Sequence, residues 1–133
     1  MLNLSLRTSV LLAAFVLSNG LYAAQALSPQ TSNQSAVAVK VTPRNLQDPV
    51  WEFDVTFDTH SEELKDDLLK HAVLVAADGA QVAPVEWLGD PPGSHHRKGI
   101  LRFNALRPVP GTVELRINRP GEPKPRSFQW ELK

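Results

Sequence analysis

From residue 37 to the C-terminus apolar and polar residues alternate with a period of two, and that pattern constrains the fold more than any other feature. A strand puts successive side chains on opposite faces, so a chain with this periodicity folds as half-buried strands. Val37, Val39 and Val41 alternate with Ala38 and Lys40, and Trp51, Phe53, Val55 and Phe57 alternate with Glu52, Asp54 and Thr56. The apolar run 72–77 meets 81–87 across Asp78-Gly79, which predicts a hairpin with positive φ at both turn positions. Further strands are expected over 100–104, 112–118 and 127–132. Seven short strands in about a hundred residues predict a mainly β chain, an immunoglobulin- or fibronectin-like β-sandwich. Ten of the eleven prolines fall between these segments; Pro84 alone lies inside one, which predicts an edge strand there. Trp51, Trp87 and Trp130 are expected in the core, the first and last in phase with apolar neighbours.

One segment breaks the alternation. Thr59-His60-Ser61-Glu62 has the form of a capping box, and Leu64, Leu68 and Leu69 follow at helical spacing, predicting a short crossover helix between the sheets. Its acidic side chains, with Asp58, would also suit a cation, but no calcium-loop spacing is present. Residues 48–90 carry 11 acids and 2 bases, whereas 97–133 carry 9 bases and 3 acids. In a sandwich these two halves interleave, so opposite charges are expected to pair across neighbouring strands.

The N-terminal stretch does not fit the strand pattern. Residues 1–26 have one charge, Arg7, then the apolar run Val10 to Leu17, a break at Ser18-Asn19-Gly20, and small residues at Ala24 and Ala26. This is the layout of a secretory signal peptide, and the run is too short for a membrane span of about 20 residues. Residues 27–35 are polar and aperiodic and read as a flexible lead-in, leaving 36–133 as the β-sandwich domain. Export to a periplasm or beyond follows, with no membrane span once the leader is removed. The formal net charge of zero excludes the basic footprint of a nucleic-acid binder. The absence of cysteine excludes disulfides and thiolate metal sites. Nothing in the sequence calls for more than a monomer.

Candidate chemistry is confined to His60, His71, His95 and His96. No nucleophile elbow, phosphate loop, dinucleotide fingerprint or zincin motif occurs, so the chain does not read as an enzyme. In a sandwich of this topology the strand ending at Phe57 pairs antiparallel with the strand starting at Ile100. That brings His60 to the same pole as the Gly89–Gly99 loop, which carries His95 and His96. Three neutral imidazoles could hold copper or zinc, with water, a backbone amide or Asp58 completing the shell. Arg97 and Lys98 oppose a cation, and loop histidines also serve simply to fix turns. His71 lies at the helix-to-strand junction and is the weaker candidate. The expected function is therefore an exported binding module, holding a transition metal at His60, His95 and His96. The alternative is a structural or interaction module that holds an envelope protein.

Trp51-Glu52-Phe53, Thr59-His60-Ser61, Trp87, the run Pro92 to Gly99, Leu101-Arg102-Phe103 and Phe128-x-Trp130-x-Leu132 together resemble a family of small secreted bacterial proteins. Its hallmark is a T-H-S segment paired with a P-G-G-H-H-type loop. The resemblance implies that His60 and the His95-His96 pair belong together, and it implies no activity. Ser94 stands where that pattern has glycine, and a serine carries a steric cost at positive φ.

Overall fold

The computed structural model describes residues 27–133. The segment 1–26, read as a signal peptide, lies outside the described residues. Among the described residues no helix is long and apolar enough to cross a membrane.

Among the described residues nine strands form two packed antiparallel sheets, as the alternation requires. They are β1 (Gln30–Gln34), β2 (Val37–Asn45), β3 (Val50–Thr59), β4 (Ala72–Ala76), β5 (Gln81–Val82), β6 (Glu86–Gly89), β7 (His96–Asn104), β8 (Thr112–Ile117) and β9 (Arg126–Glu131). A helical turn, α1 (Leu68–His71), precedes β4. One sheet has the order β1-β2-β3-β7-β6 and the other β5-β4-β8-β9. The β-sandwich expected from the sequence is therefore present, with β3 antiparallel to β7 as the topology demanded. Its core is built from the inward positions of the alternation, including Val39, Phe53, Phe57, Leu101, Leu115 and Phe128. Phe53 stands at the centre, 5.7 Å from Phe103 edge-to-face and 5.7 Å from the Trp130 ring. Trp51 and Trp130 are buried, while Trp87 is half-buried at the margin of the core.

Four expectations need correction. The polar segment expected to be a loose lead-in contains a strand, β1, paired with β2 from Gln30↔Val41 to Gln34↔Val37. Its fastenings are bonds from side chains of the opposite sheet to its backbone, which leave no apolar period in its own sequence. Trp130 Nε1 donates to the Ser28 carbonyl at 2.8 Å, and Arg126 donates to the Ser32 and Gln34 carbonyls at 2.8 and 2.9 Å. The Gln30 side-chain amide bonds both the N–H and the carbonyl of Gln129, standing in for a neighbouring strand. The predicted capping-box helix also fails to form over 59–67. Thr59 Oγ1 does accept the N–H groups of Ser61 and Glu62, but the Leu64 N–H and carbonyl, which a helix would use, are taken by Ser94 and Gly93 of the facing loop. Helix begins only after Asp67, whose carboxylate accepts the Lys70 N–H.

The run 81–87 is not one strand. It leaves the four-stranded sheet after β5 and joins the five-stranded sheet as β6, so Pro84 lies between two edge strands. Pro43, by contrast, sits inside β2, beyond the last β1 partner at Val41 and beside a register shift, where a missing N–H breaks no ladder bond. The Asp78-Gly79 hairpin forms, but only Gly79 of the two has positive φ.

Charge compensation between the halves is present. Arg102 bridges Glu52 and Glu86, and Arg44 meets Asp54. The deepest pairing is a buried chain from Asp66 to Arg119, Glu122 and Arg126, with N–O distances between 2.8 and 3.1 Å. It ties the 60–67 connection to the loop after β8 and, through Arg126, to β1. The Arg126 and Arg119 guanidiniums hold the Glu122 carboxyl below its ordinary range. Burial alone would lower the Arg119 pKa, but hydrogen bonds and charge from Asp66 and Glu122 raise it.

Candidate functional site

The pole at the end of β3 and the start of β7 is assembled by backbone bonds between two loops. Thr59 N–H donates to the His95 carbonyl at 3.0 Å and Leu64 N–H to the Ser94 carbonyl at 3.0 Å. Gly93 N–H donates in return to the Leu64 carbonyl at 2.7 Å. The loop turns back through Gly93 at φ 117° and Ser94 at φ 59°. Ser94 does occupy the left-handed region that its place in the sequence suggested, and its Oγ donates to the His96 carbonyl at 2.8 Å.

Beneath these loops lies Arg97, 2% exposed. It follows the inward phase of Gly99, Leu101 and Phe103, so β7 carries its guanidinium into the sandwich end. There Nη1 donates to the Asp66 carbonyl at 2.8 Å, and Nε and Nη2 reach the Asp90 carbonyl at 3.4 and 3.3 Å. Trp87 Nε1 donates to that same carbonyl at 2.9 Å, and the guanidinium lies 5.8 Å from the Trp87 ring. Burial lowers the Arg97 pKa, partly offset by Asp66, Asp90 and Asp67. Sequence reasoning treated Arg97 as a charge facing any bound cation; the structure makes it the internal clamp of both loops. Its phase with Leu101 was the available signal.

The ladder leading to the pole is pinned by a pair of glycines. Gly89 opposes Gly99, and a Cβ on either would lie 2.5–2.6 Å from the other's Cα and 2.7–2.8 Å from the Trp87 ring. Only glycine permits that approach.

His60, His95 and His96 all come to this pole and all are exposed. His96 is not in the loop, as the sequence suggested, but is the first residue of β7, because the strand pairing continues through Lys98 and Gly99. It faces Asp58 across the ladder, and its Nδ1 is bonded to the Asp58 carboxylate. His95, one residue earlier, ends the loop, and His60 follows the last residue of β3. The three rings do not close around a common point. Among the described residues no group of three His, Asp or Glu side chains is arranged to hold a metal ion.

The remaining candidates have other employment. Asp66 is buried against Arg119, Asp67 caps α1, and Glu63 meets Lys65, so the acidic segment is no cation site. His71 ends α1, where its carbonyl accepts the Asn118 N–H. Beside His60 runs a shallow recess lined by Asn33, Gln34, Ala36, Val37, Ala38 and Asp58. The pole thus offers an exposed imidazole held by a carboxylate, two further imidazoles at adjoining backbone positions, and a stiff frame below them. Searches of protein-family models, curated proteins and solved structures found no match to the chain.

Proposed function

We propose that this chain is an exported binding module whose working surface is the histidine pole, and that its ligand is a transition metal ion, copper or zinc. The Asp58–His96 contact carries this reading. A carboxylate on Nδ1 fixes the neutral ring as the Nδ1–H tautomer and presents the Nε2 lone pair to solvent, the arrangement found behind metal-ligating histidines. His60 and His95 would join by side-chain rotation, since both are exposed and their backbones adjoin through the Thr59–His95 bond. Freezing each ring costs about 0.5–1.5 kcal/mol, small against metal–imidazole bonding. The resemblance that sets T-H-S beside the H-H loop supports the same grouping.

Calorimetry with Cu(II) and Zn(II) tests this. Sub-millimolar binding, weakened in His60→Ala and His95→Ala and abolished in His96→Ala, is the expected outcome. Binding unchanged in the triple variant, or none in the natural chain, overturns it.

A second reading rests on a different observation. The large apolar side chains most exposed in the described residues are Leu69, Val85 and Leu88, on α1 and along the free edge of β6. They suit a module that docks an envelope protein independently of metal. A partner retained in the presence of a chelator, and lost in Val85→Asp with Leu88→Asp, would favour this reading.

A further inference from the structure

The β1–β2 hairpin turns on only two residues, Ser35 and Ala36, with φ of 50° and 61°. Positive φ at both positions is the type I′ form of a two-residue hairpin turn, which Asn-Gly or Gly-Gly adopt with little strain. Here neither residue is glycine or asparagine, so both carry the steric cost of the left-handed region. The strand beyond this hinge buries none of its side chains. Besides its ladder to β2 it is held at the Ser32 and Gln34 carbonyls by Arg126, at the preceding Ser28 carbonyl by Trp130, and by the Gln30 amide on Gln129. Carbonyls recognised in this way do not identify which chain they belong to.

From these observations we propose that β1 is an exchangeable strand and that two copies of this chain form a dimer by swapping it. The occupant of each slot is the β1 of the second copy. Opening the hinge lets Ser35 and Ala36 take extended backbone, which relieves four strained residues per dimer. The present register favours the exchange. Gln34 faces Val37, and one step inward Ser35 of one copy would face Ala36 of the other. β1 and β2 would then run as one unbroken strand, antiparallel to its counterpart about a twofold axis. The bonds of Arg126 to Ser32 and Gln34, of Trp130 to Ser28 and of Gln129 to Gln30 are kept, now made between copies. Short hinges under strain are the recognised cause of such swapping.

The chain has no cysteine, so a reporter disulfide can be placed without interference. Thr31 faces Lys40 across the hairpin. The T31C/K40C chain should be refolded at millimolar concentration under reducing conditions, fractionated by size, and each fraction oxidised. The dimer fraction is expected to run as a covalent dimer on a denaturing gel and the monomer fraction as a cross-linked monomer. In a second arm, an Asn-Gly hinge (Ser35→Asn with Ala36→Gly) should preserve the folded monomer and lower the dimerisation constant at least about tenfold. Absence of any dimer overturns the proposal. A dimer fraction whose disulfides lie within each chain overturns it too, as does a dimer indifferent to the Asn-Gly hinge.

Discussion

At the scale of single residues, two positions show how local geometry reaches the pole. Ser94 combines a left-handed backbone with an Oγ bond to the His96 carbonyl. Ser94→Ala keeps the steric cost and loses the bond, whereas Ser94→Gly loses the bond and the cost together. Chemical denaturation should find the glycine variant about 1 kcal/mol more stable than the alanine variant. His96 gives a spectroscopic prediction. With Asp58 on Nδ1, nitrogen NMR of the neutral ring should show Nδ1 protonated and Nε2 bare, and Asp58→Ala should shift the balance toward the Nε2–H form. An unchanged tautomer ratio would mean that Asp58 does not orient the ring. Glu122 sets the acid limit. Its folded pKa is depressed by Arg126 and Arg119, so its stabilising contribution is full above the ordinary value of 4.5 and is lost as pH falls through the folded value. Urea midpoints followed from pH 7 downward should therefore drop in acid, with a shallower slope in Glu122→Gln.

At the scale of elements, β1 and β9 act as a pair, and their joint is Arg126. All its guanidinium nitrogens are engaged, by Glu122 and by the Ser32, Gln34 and Val37 carbonyls. Replacing it with alanine leaves Glu122 to Arg119 alone and strands three carbonyls at once, and should cost about 3–5 kcal/mol of stability. Amide hydrogen exchange should then be fastest in β1, ahead of the rest of the sheet. This element also marks where the sequence was legible. β2, β3, β8 and β9 announce themselves because burial on one face imposes period two on their own residues. β1 does not, because the groups that hold it belong to β9 and bind backbone, which every residue type has. The predicted helix over 59–70 failed for a related reason: the capping side chain was real, but the Leu64 N–H and carbonyl, which the helix ladder needs, were already committed to Ser94 and Gly93. At the pole, the meeting of His60 with His95 and His96 followed from strand pairing. Ring orientation did not, because the strand expected to begin at Ile100 begins four residues earlier, at His96, and sets that ring opposite Asp58. Arg97 and Arg126 were both readable as inward positions by phase with Leu101 and with Phe128, against the ordinary expectation that arginine faces water.

At the scale of the whole molecule, the two long sides of the sandwich differ. On one side the chain itself crosses from β5 to β6; on the other β1 lies against β9. The strongest ion pairs are internal, and those on the surface, Arg44–Asp54, Lys65–Glu63 and Lys70–Asp67, are half-exposed or more. Surface pairs contribute about 0–1 kcal/mol each and are screened by salt, whereas buried ones are not. Raising ionic strength from low to molar should therefore change the unfolding free energy by no more than about 2 kcal/mol, despite the contrast in charge between the two halves of the sequence. A larger loss would show that the surface pairs carry the fold. One small feature sets the register at the pole. Gly89 and Gly99 meet so closely that a slip of β6 along β7 would drive a Cβ into backbone, and a one-residue slip would also turn every side chain of the strand over. Trp87 would then leave the margin of the core and lose its bond to the Asp90 carbonyl and its contact with the Arg97 guanidinium. The two glycines thus hold in place the indole that lies over the buried Arg97 cation at this end of the sandwich.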